Sequence, residues 1–205
     1  LWRGVGLWRA AGHSVLLGGI SAVLVVGLSA IMVLGMGTAR PVMRKFFLTF
    51  TTLGYAFPGA VLGLGILTPL ALFDNWVADL IYATFDLDPG LILTGSVAAL
   101  IIAYGVRFFA IGVGATEAGL AVISTNIPLA ARSLGSPPRS LFLRIYLPLM
   151  RGSLASALVL VFVDTVKELP ATLLLRPFNF DTLSTHIYGQ ASLENFNAAA
   201  PAALL

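Results

Sequence analysis

The sequence lacks cysteine and has few charged residues. None of its 205 residues is Cys, which excludes disulfide frameworks, Cys-ligated zinc, iron–sulfur clusters and thiol catalysis. Charged residues make up 10% of the chain, against about 25% in a typical soluble domain. Hydrophobic residues make up 58%, and the mean hydropathy is +0.95. We therefore expect an all-α, polytopic transmembrane helix bundle and not a water-soluble globule.

The small surplus of basic residues fits a membrane protein. The formal net charge is +3 at pH 7, and membrane proteins retain Lys and Arg in their cytoplasmic loops. We therefore predict the lipid bilayer as the surroundings of this chain and no nucleic acid as a partner.

Four apolar runs are long enough to cross a bilayer, which takes roughly 20 residues per helix. They lie at residues 13–38, 46–73, 91–113 and 149–169, and a fifth run begins near Ala198. The chain opens with Leu1 instead of Met, and its last apolar run is short. From these two features we expect a piece of a longer protein.

The connections between these runs alternate in charge. The first carries bases and no acid, namely Arg40, Arg44 and Lys45. The second carries acids and no base, namely Asp74, Asp79, Asp86 and Asp88. The third carries mainly arginine, namely Arg132, Arg139, Arg144 and Arg151, against the single acid Glu117. Since basic loops stay in the cytoplasm, the first and third connections are predicted inside and the second outside.

The third connection, residues 114–148, is long and contains signals for two short helices. Asn126 can cap the first helix, and Gly135 can end it in the left-handed conformation. Ser136 and Pro137 can begin the second, and Pro148 separates it from the fourth run or kinks the junction. Composition alone leaves open whether this segment lies on the membrane surface or docks onto another protein.

The spacing within this segment resembles the EAA signature of the membrane subunits of ATP-binding-cassette importers. That signature has E-A-A, then G, then I-x-L-P at fixed intervals. The matching residues are Ala130, Ala131, Gly135, Ile145, Leu147 and Pro148. Leu129 stands where the family usually has Glu. The resemblance implies the type I importer permease fold (MetI-like), with residues 1–205 as part of one transmembrane domain.

In such permeases the segment forms a coupling helix that docks onto a cytoplasmic ATPase. The resemblance therefore assigns ATPase coupling to the matching residues and to Arg132 between them. The chain contains no G-x-x-x-x-G-K-[ST] loop. We expect a transport subunit that is not itself an enzyme and binds no cofactor, with ATP and Mg²⁺ on a partner ATPase dimer.

Two further stretches resemble the ferric iron permeases of this superfamily. Residues 164–172 read D-T-V-K-E-L-P-A-T, and residues 175–183 read L-R-P-F-N-F-D-T-L. Residues 54–59 read G-Y-A-F-P-G. The resemblance implies the second half of a ferric iron permease in a bacterial inner membrane. Its implied partners are the first half of the permease and a periplasmic binding protein.

Charged residues in the fourth run are candidates for a translocation pathway or gate. Asp164, Lys167 and Glu168 fall on one helical face, where Lys167 can neutralise either acid. Charges at membrane depth cost about 3 kcal/mol and normally face a bundle interior or a water-filled cavity. Pro170, which frees a backbone carbonyl one turn back, and Pro58, which is expected to kink the second run, complete this set. The alternative is a structural ion pair near the outer interface.

Other polar residues in or near the runs receive simpler interpretations. Arg107 is expected to extend its side chain to the cytoplasmic interface. His13, at the start of the first run, is expected to anchor that run at the membrane interface. His186 and Tyr188 offer ligand types that ferric iron accepts, but two residues do not make a site. Metal ligands stay unknown, and contact with a binding protein or loop packing is the favoured interpretation of this pair.

Three alternatives stay open. The same machine could carry thiamine, polyamine, sulfate or phosphonate, because the coupling signature does not encode cargo. An intramembrane hydrolase could use Ser29 in the short G-L-S-A match at residues 27–30. A secondary transporter would need an ion-coupling site within an inverted repeat, and the sequence shows no repeat.

Overall fold

The chain folds into a bundle of helices. A computed structural model describes the backbone of residues 2–204 and the side chains of residues 6–37, 39–197 and 199–204. The helices are α1 (Trp2–Gly35), α2 (Pro41–Ala56), α3 (Gly59–Phe85), α4 (Val97–Ala121), α5 (Asn126–Ser133), α6 (Pro138–Leu141), α7 (Leu147–Leu149), α8 (Arg151–Lys167), α9 (Pro170–Leu175), α10 (Leu183–Ser192) and α11 (Phe196–Ala203). A 3₁₀ turn, Met36–Thr38, follows α1, and a π-helical turn, Phe142–Tyr146, precedes α7. The described residues contain no strand. The predicted all-α membrane fold is confirmed.

The longest helices have the length and composition of membrane spans. Within the described residues, the 6–35 part of α1, all of α3 and all of α4 are each apolar enough to cross alone. Helix α8 reaches the length and composition of a span only together with the preceding segment Pro138–Leu149, and the two parts meet at an angle of 75°.

Helices α1, α4 and α8 form the centre of the bundle and pack closely through small residues. A Cβ atom added at Gly112 would lie 3.0 Å from the Cβ atom of Ser29 on α1. One added at Gly119 would lie 3.2 Å from the Cβ atom of Ser153 on α8. Both approaches are tighter than ordinary contact, so each glycine lets two helices come together, as is common in membrane bundles.

The predicted second span, residues 46–73, was wrong as a single helix. It is divided between α2 and α3, which together run antiparallel to α4. Arg44 on α2 forms an ion pair of 3.1 Å with Glu117 on α4. Further outward, the backbone of Gly54 lies directly against the Val106 carbonyl, so that a Cβ atom would overlap it.

The division falls at Phe57 and Pro58. Both residues have extended backbone, with ψ angles of 140° and 139°. Proline disfavours helical backbone in the residue before it, so α2 ends there. Pro58 itself lacks the N–H that a continuous helix would use and instead stands at the N-cap position of α3. The sequence predicted a kink at Pro58, and the structure shows a complete interruption.

The outer end of α3 also differs from the prediction. Asp74 and Asp79, expected in an outer loop, lie within α3, while Asp86 and Asp88 lie in the connection to α4. Asp74 is buried, and its carboxylate accepts the backbone N–H groups of Leu93 and Thr94 at 2.9 and 2.6 Å. This carboxylate fastens the connection to the bundle.

The remaining predicted runs shift by several residues. The third run, 91–113, becomes α4 at Val97–Ala121, because the Ser96 hydroxyl caps that helix by accepting the Ala99 N–H. The fourth run, 149–169, becomes α8 at Arg151–Lys167. The fifth run corresponds to α11, and Leu1 and Leu205 lie outside the described residues.

Replacing Asp74 with Ala should destabilise the protein, because two buried backbone N–H groups lose a charged acceptor. We expect the melting temperature of the full-length protein in detergent to fall by several degrees. The matched change Asp79→Ala, at an exposed position of the same helix, should leave it nearly unchanged. Equal melting temperatures for the two variants would contradict the role given to Asp74.

Candidate functional site

The segment with the importer-like spacing contains an exposed helix. None of the residues of α5 is buried, and Ala130 and Arg132 are exposed. A cleft of about 740 Å³, lined by Leu129 and Arg132 among others, lies between this helix, the inner end of α1 and the segment from α6 to α7. The helix therefore stands away from the bundle with its surface available to another protein.

The end of α5 depends on Gly135, which has a φ angle of +79°. The Gly135 N–H donates to the Arg132 carbonyl at 2.9 Å, and the Ser136 N–H donates to the Ala131 carbonyl at 3.0 Å. This pair of hydrogen bonds is the Schellman motif, which requires left-handed backbone at the glycine position. The predicted helix end is therefore found at the predicted residue.

The rest of the segment forms an arm that leads from α5 to α8. Ile145 lies in the π-helical turn, and Leu147 and Pro148 lie in α7. Proline removes one hydrogen bond donor and its ring clashes with the carbonyl four residues earlier, so the widened turn directly before Pro148 relieves this clash. The chain then turns at the buried Met150 into α8.

A second candidate site lies near the middle of the bundle, where two interrupted helices meet. The α2–α3 chain is broken at Phe57 and Pro58, and the α8–α9 chain is broken at Glu168, which has extended backbone. Arg107, near the middle of α4, contacts both breaks. Its Nη1 donates to the Phe57 carbonyl at 3.1 Å, and its Nε lies 3.1 Å from Oε2 of Glu168.

This ion pair is largely buried. The side chains of Arg107 and Glu168 are 19% and 7% exposed. The Arg107 Nε–H is not aligned for a hydrogen bond to Glu168, so the contact is an ion pair held by charge. Gly59 leaves room for it, because a Cβ atom there would overlap the Glu168 carboxylate and lie 2.9 Å from Nη1 of Arg107.

Glu168 also organises the start of α9. Its Oε1 accepts the Ala171 N–H at 3.2 Å, and its carbonyl accepts the Thr172 hydroxyl at 2.6 Å. The buried Tyr104 hydroxyl donates to the Thr172 oxygen at 2.6 Å and so ties α9 to α4. Ser184 on α10 donates to the same Glu168 carbonyl at 3.0 Å. One residue thus joins α4, α8, α9 and α10.

These contacts correct two predictions. Arg107 does not extend to the cytoplasmic interface, because Glu168 and the Phe57 carbonyl hold it inside the bundle. Lys167 does not pair with Glu168, because α8 ends at Lys167 and the backbone of Glu168 turns away. Lys167 pairs instead with Asp164, the other predicted partner, at 3.5 Å; the Lys167 side chain is exposed (66%) and that of Asp164 is partly exposed (30%).

The other candidate positions lie at helix starts and in the outer part of the bundle. Pro170 is the first residue of α9, where a missing N–H costs nothing. His13 donates from Nδ1 to the Asp181 carbonyl at 2.9 Å. His186 and Tyr188 lie on α10. Among the described residues, no group of three or more His, Asp or Glu side chains is placed to hold a metal ion.

Comparison with known proteins identifies the family. Residues 27–205 match the family described as binding-protein-dependent transport system inner membrane component. The chain belongs to this family. It is also 33% identical over 146 residues to the Fe(3+)-transport system permease protein FbpB 2 of Haemophilus influenzae, a stretch that covers 71% of this chain. The match spans 26% of the length of that relative.

Membership in the inner membrane component family and the apolar helices together identify a multi-pass inner-membrane protein that is a permease component of a transporter. Sequence reasoning missed Arg107 as a partner of Glu168. The sequence did contain a signal for this pair, because Arg107 and Glu168 are opposite charges in two separate apolar runs. A charge at membrane depth is costly unless it has a partner.

The two ion pairs of the outer half should respond differently to loss of their base. Arg107→Met leaves the buried Glu168 charge without a partner, and we expect a loss of about 3–5 kcal/mol of stability. Lys167→Met removes an exposed pair and should cost less than about 1 kcal/mol. Thermal unfolding of the full-length permease in detergent compares them, and similar losses for both would show that the Arg107 pair is not the buried anchor described.

Proposed function

We propose that this chain is part of the permease of an ATP-driven importer of ferric iron. A binding protein delivers the cargo from outside, and a separate ATPase dimer in the cytoplasm binds ATP and Mg²⁺ and hydrolyses the ATP. In this proposal the chain holds no cofactor of its own. The first half of the same permease completes the pathway.

The observation that carries the ATPase part of the proposal is the exposed helix α5 with its glycine-dependent end. Small side chains at Ala130 and Ala131 allow the backbone of α5 to approach a partner closely. Arg132 adds a charge to that surface, and Ile145, Leu147 and Pro148 belong to the arm that connects α5 to α8. Movement of a docked α5 would therefore pass directly into a membrane helix.

The cargo part rests on similarity to the Fe(3+)-transport relative and on the K-E-L-P-A-T run. In the structure this run contains the end of α8, the buried Glu168 and the start of α9. The helix break at Glu168, whose carboxylate is the partner of Arg107, thus falls within the stretch that resembles ferric iron permeases.

The exposed charges on α8 support a pathway along this helix. Asp164 and Lys167 lie near the level of the Arg107–Glu168 pair, yet they are accessible on the surface of the chain. A charge that faced lipid at this depth would cost about 3 kcal/mol. This face of α8 is therefore assigned to the pathway, next to the gate formed by Glu168, Pro170 and Pro58.

The alternatives fit the structure less well. Ser29, the candidate nucleophile of a hydrolase, is fully buried, and its hydroxyl donates to the Val26 carbonyl of its own helix at 3.0 Å. It packs against Gly112 and so has a structural role. Thiamine, polyamine, sulfate and phosphonate are the cargoes to test beside iron.

The experiment is ATP-dependent uptake of labelled ferric iron by the full-length permease, reconstituted with its ATPase and binding protein. Uptake that requires all three components supports the proposal. ATP hydrolysis stimulated by the binding protein without iron uptake would reject iron as the cargo, and absence of both would reject the importer.

Coupling should depend on the backbone at Gly135. Gly135→Val places a β-branched side chain at positive φ and should reduce uptake at least tenfold, while Gly135→Asn, which tolerates this backbone, should retain most of it. Both variants should assemble with the ATPase in normal amounts before reconstitution. Equal uptake by the two variants would mean that the left-handed end of α5 does not matter for coupling.

The pathway assignment predicts that Asp164→Asn reduces iron uptake at least tenfold without loss of the assembled complex. The control is Asp79→Asn, the same change at an exposed position on α3, which should transport normally. Unchanged uptake by Asp164→Asn would leave the Asp164–Lys167 pair as a structural contact only.

A further inference from the structure

The run from Arg176 to Leu183 forms a rigid turn between α9 and α10. The guanidinium of Arg176 pairs with the Asp181 carboxylate across the base of the turn. The Phe180 N–H donates to the Pro177 carbonyl at 3.3 Å, and Asn179 adopts left-handed backbone with φ +59°. The turn is thus fixed by its own residues.

The same turn is fastened to α1. The Phe180 ring stacks on the His13 ring with centroids 4.1 Å apart and planes 9° from parallel. The Leu183 N–H donates to the hydroxyl of the buried Ser14 at 2.7 Å. Thr182 begins α10 with a capping box. Phe180, Thr182 and Leu183 therefore each make a contact that stabilises the fold.

Phe178 is the exception in this run. Its side chain is fully exposed, at 102% of the reference area. Beside it lies a mostly polar cleft of about 460 Å³ that is lined by Arg176, Asn179 and Asp181 among others. A large aromatic side chain held out from a rigid turn is typical of an interface anchor, because little conformational freedom is lost on binding.

The position of the turn indicates which side of the membrane it faces. His13 precedes the inner end of α1 at Gly35 by a helical rise of about 33 Å, close to the thickness of the hydrocarbon core. The turn therefore lies at the outer boundary, opposite the exposed helix α5. The polar groups around Phe178 favour a protein partner over insertion into lipid.

We propose that Phe178 is an anchor residue on which the substrate-binding protein docks. The partner surface would present an apolar pocket for the ring, with polar groups around it that meet Arg176, Asn179 and Asp181. This inference rests on the proposed function, since it assumes delivery by a binding protein.

The test measures ATP hydrolysis by the full-length permease and its ATPase in proteoliposomes while the iron-loaded binding protein is titrated. Phe178→Ala should raise the concentration for half-maximal stimulation at least tenfold and leave the maximal rate unchanged. Phe178→Leu, which keeps an apolar side chain, should give a smaller shift. The melting temperature of both variants should equal that of the unmodified permease.

Two results separate this inference from the proposed function. No stimulation of the unmodified transporter would reject delivery by a binding protein and the anchor with it. Normal stimulation that Phe178→Ala leaves unchanged would reject the anchor alone. A photo-crosslinking amino acid at position 178 should capture the binding protein, and capture of only lipid or only the remainder of the permease would overturn the inference.

Discussion

The buried ion pair between Arg107 and Glu168 holds the outer half of this bundle together. Two charges lie deep among apolar helices, where each would be costly alone, and the contact between them brings two helix interruptions to one place. Around it, Gly59 provides space, and Tyr104 and Thr172 tie α9 to α4. The outer helices α3 and α9 consequently start from a common point near the middle of the bundle.

This arrangement links the two sides of the membrane. The inner parts of the chain, α2 and α8, pack along α4 below the ion pair, and α8 continues through a bend into the arm that carries α5. The outer helices α3, α9 and α10 connect to the same ion pair from the outer side of the membrane. In the proposed importer, a displacement of α5 by an ATPase would reach the break at Glu168 through one helix, and the rigid turn at Phe178 lies one short helix beyond it.

Much of this organisation follows from local sequence rules, and the remainder depends on contacts between distant residues. Apolar run length predicted the membrane helices, and Gly135 predicted the end of α5, because backbone at positive φ favours glycine. The partner of Glu168 was not predicted, since helical spacing pointed to Lys167 and the end of α8 could not be placed to the residue. The role of Asp74 was also missed, because the N–H groups that it accepts lie 19 and 20 residues away in the connection to α4.

The most direct test of this account is a double-mutant cycle on Arg107 and Glu168. The variants Arg107→Met, Glu168→Gln and the double variant of the full-length permease are compared by thermal unfolding. The account predicts that the double variant is clearly more stable than the sum of the two single losses implies, because a buried charge without a partner is the main cost. Strictly additive losses would show that the two residues do not interact, and would contradict the ion pair as the centre of the outer half.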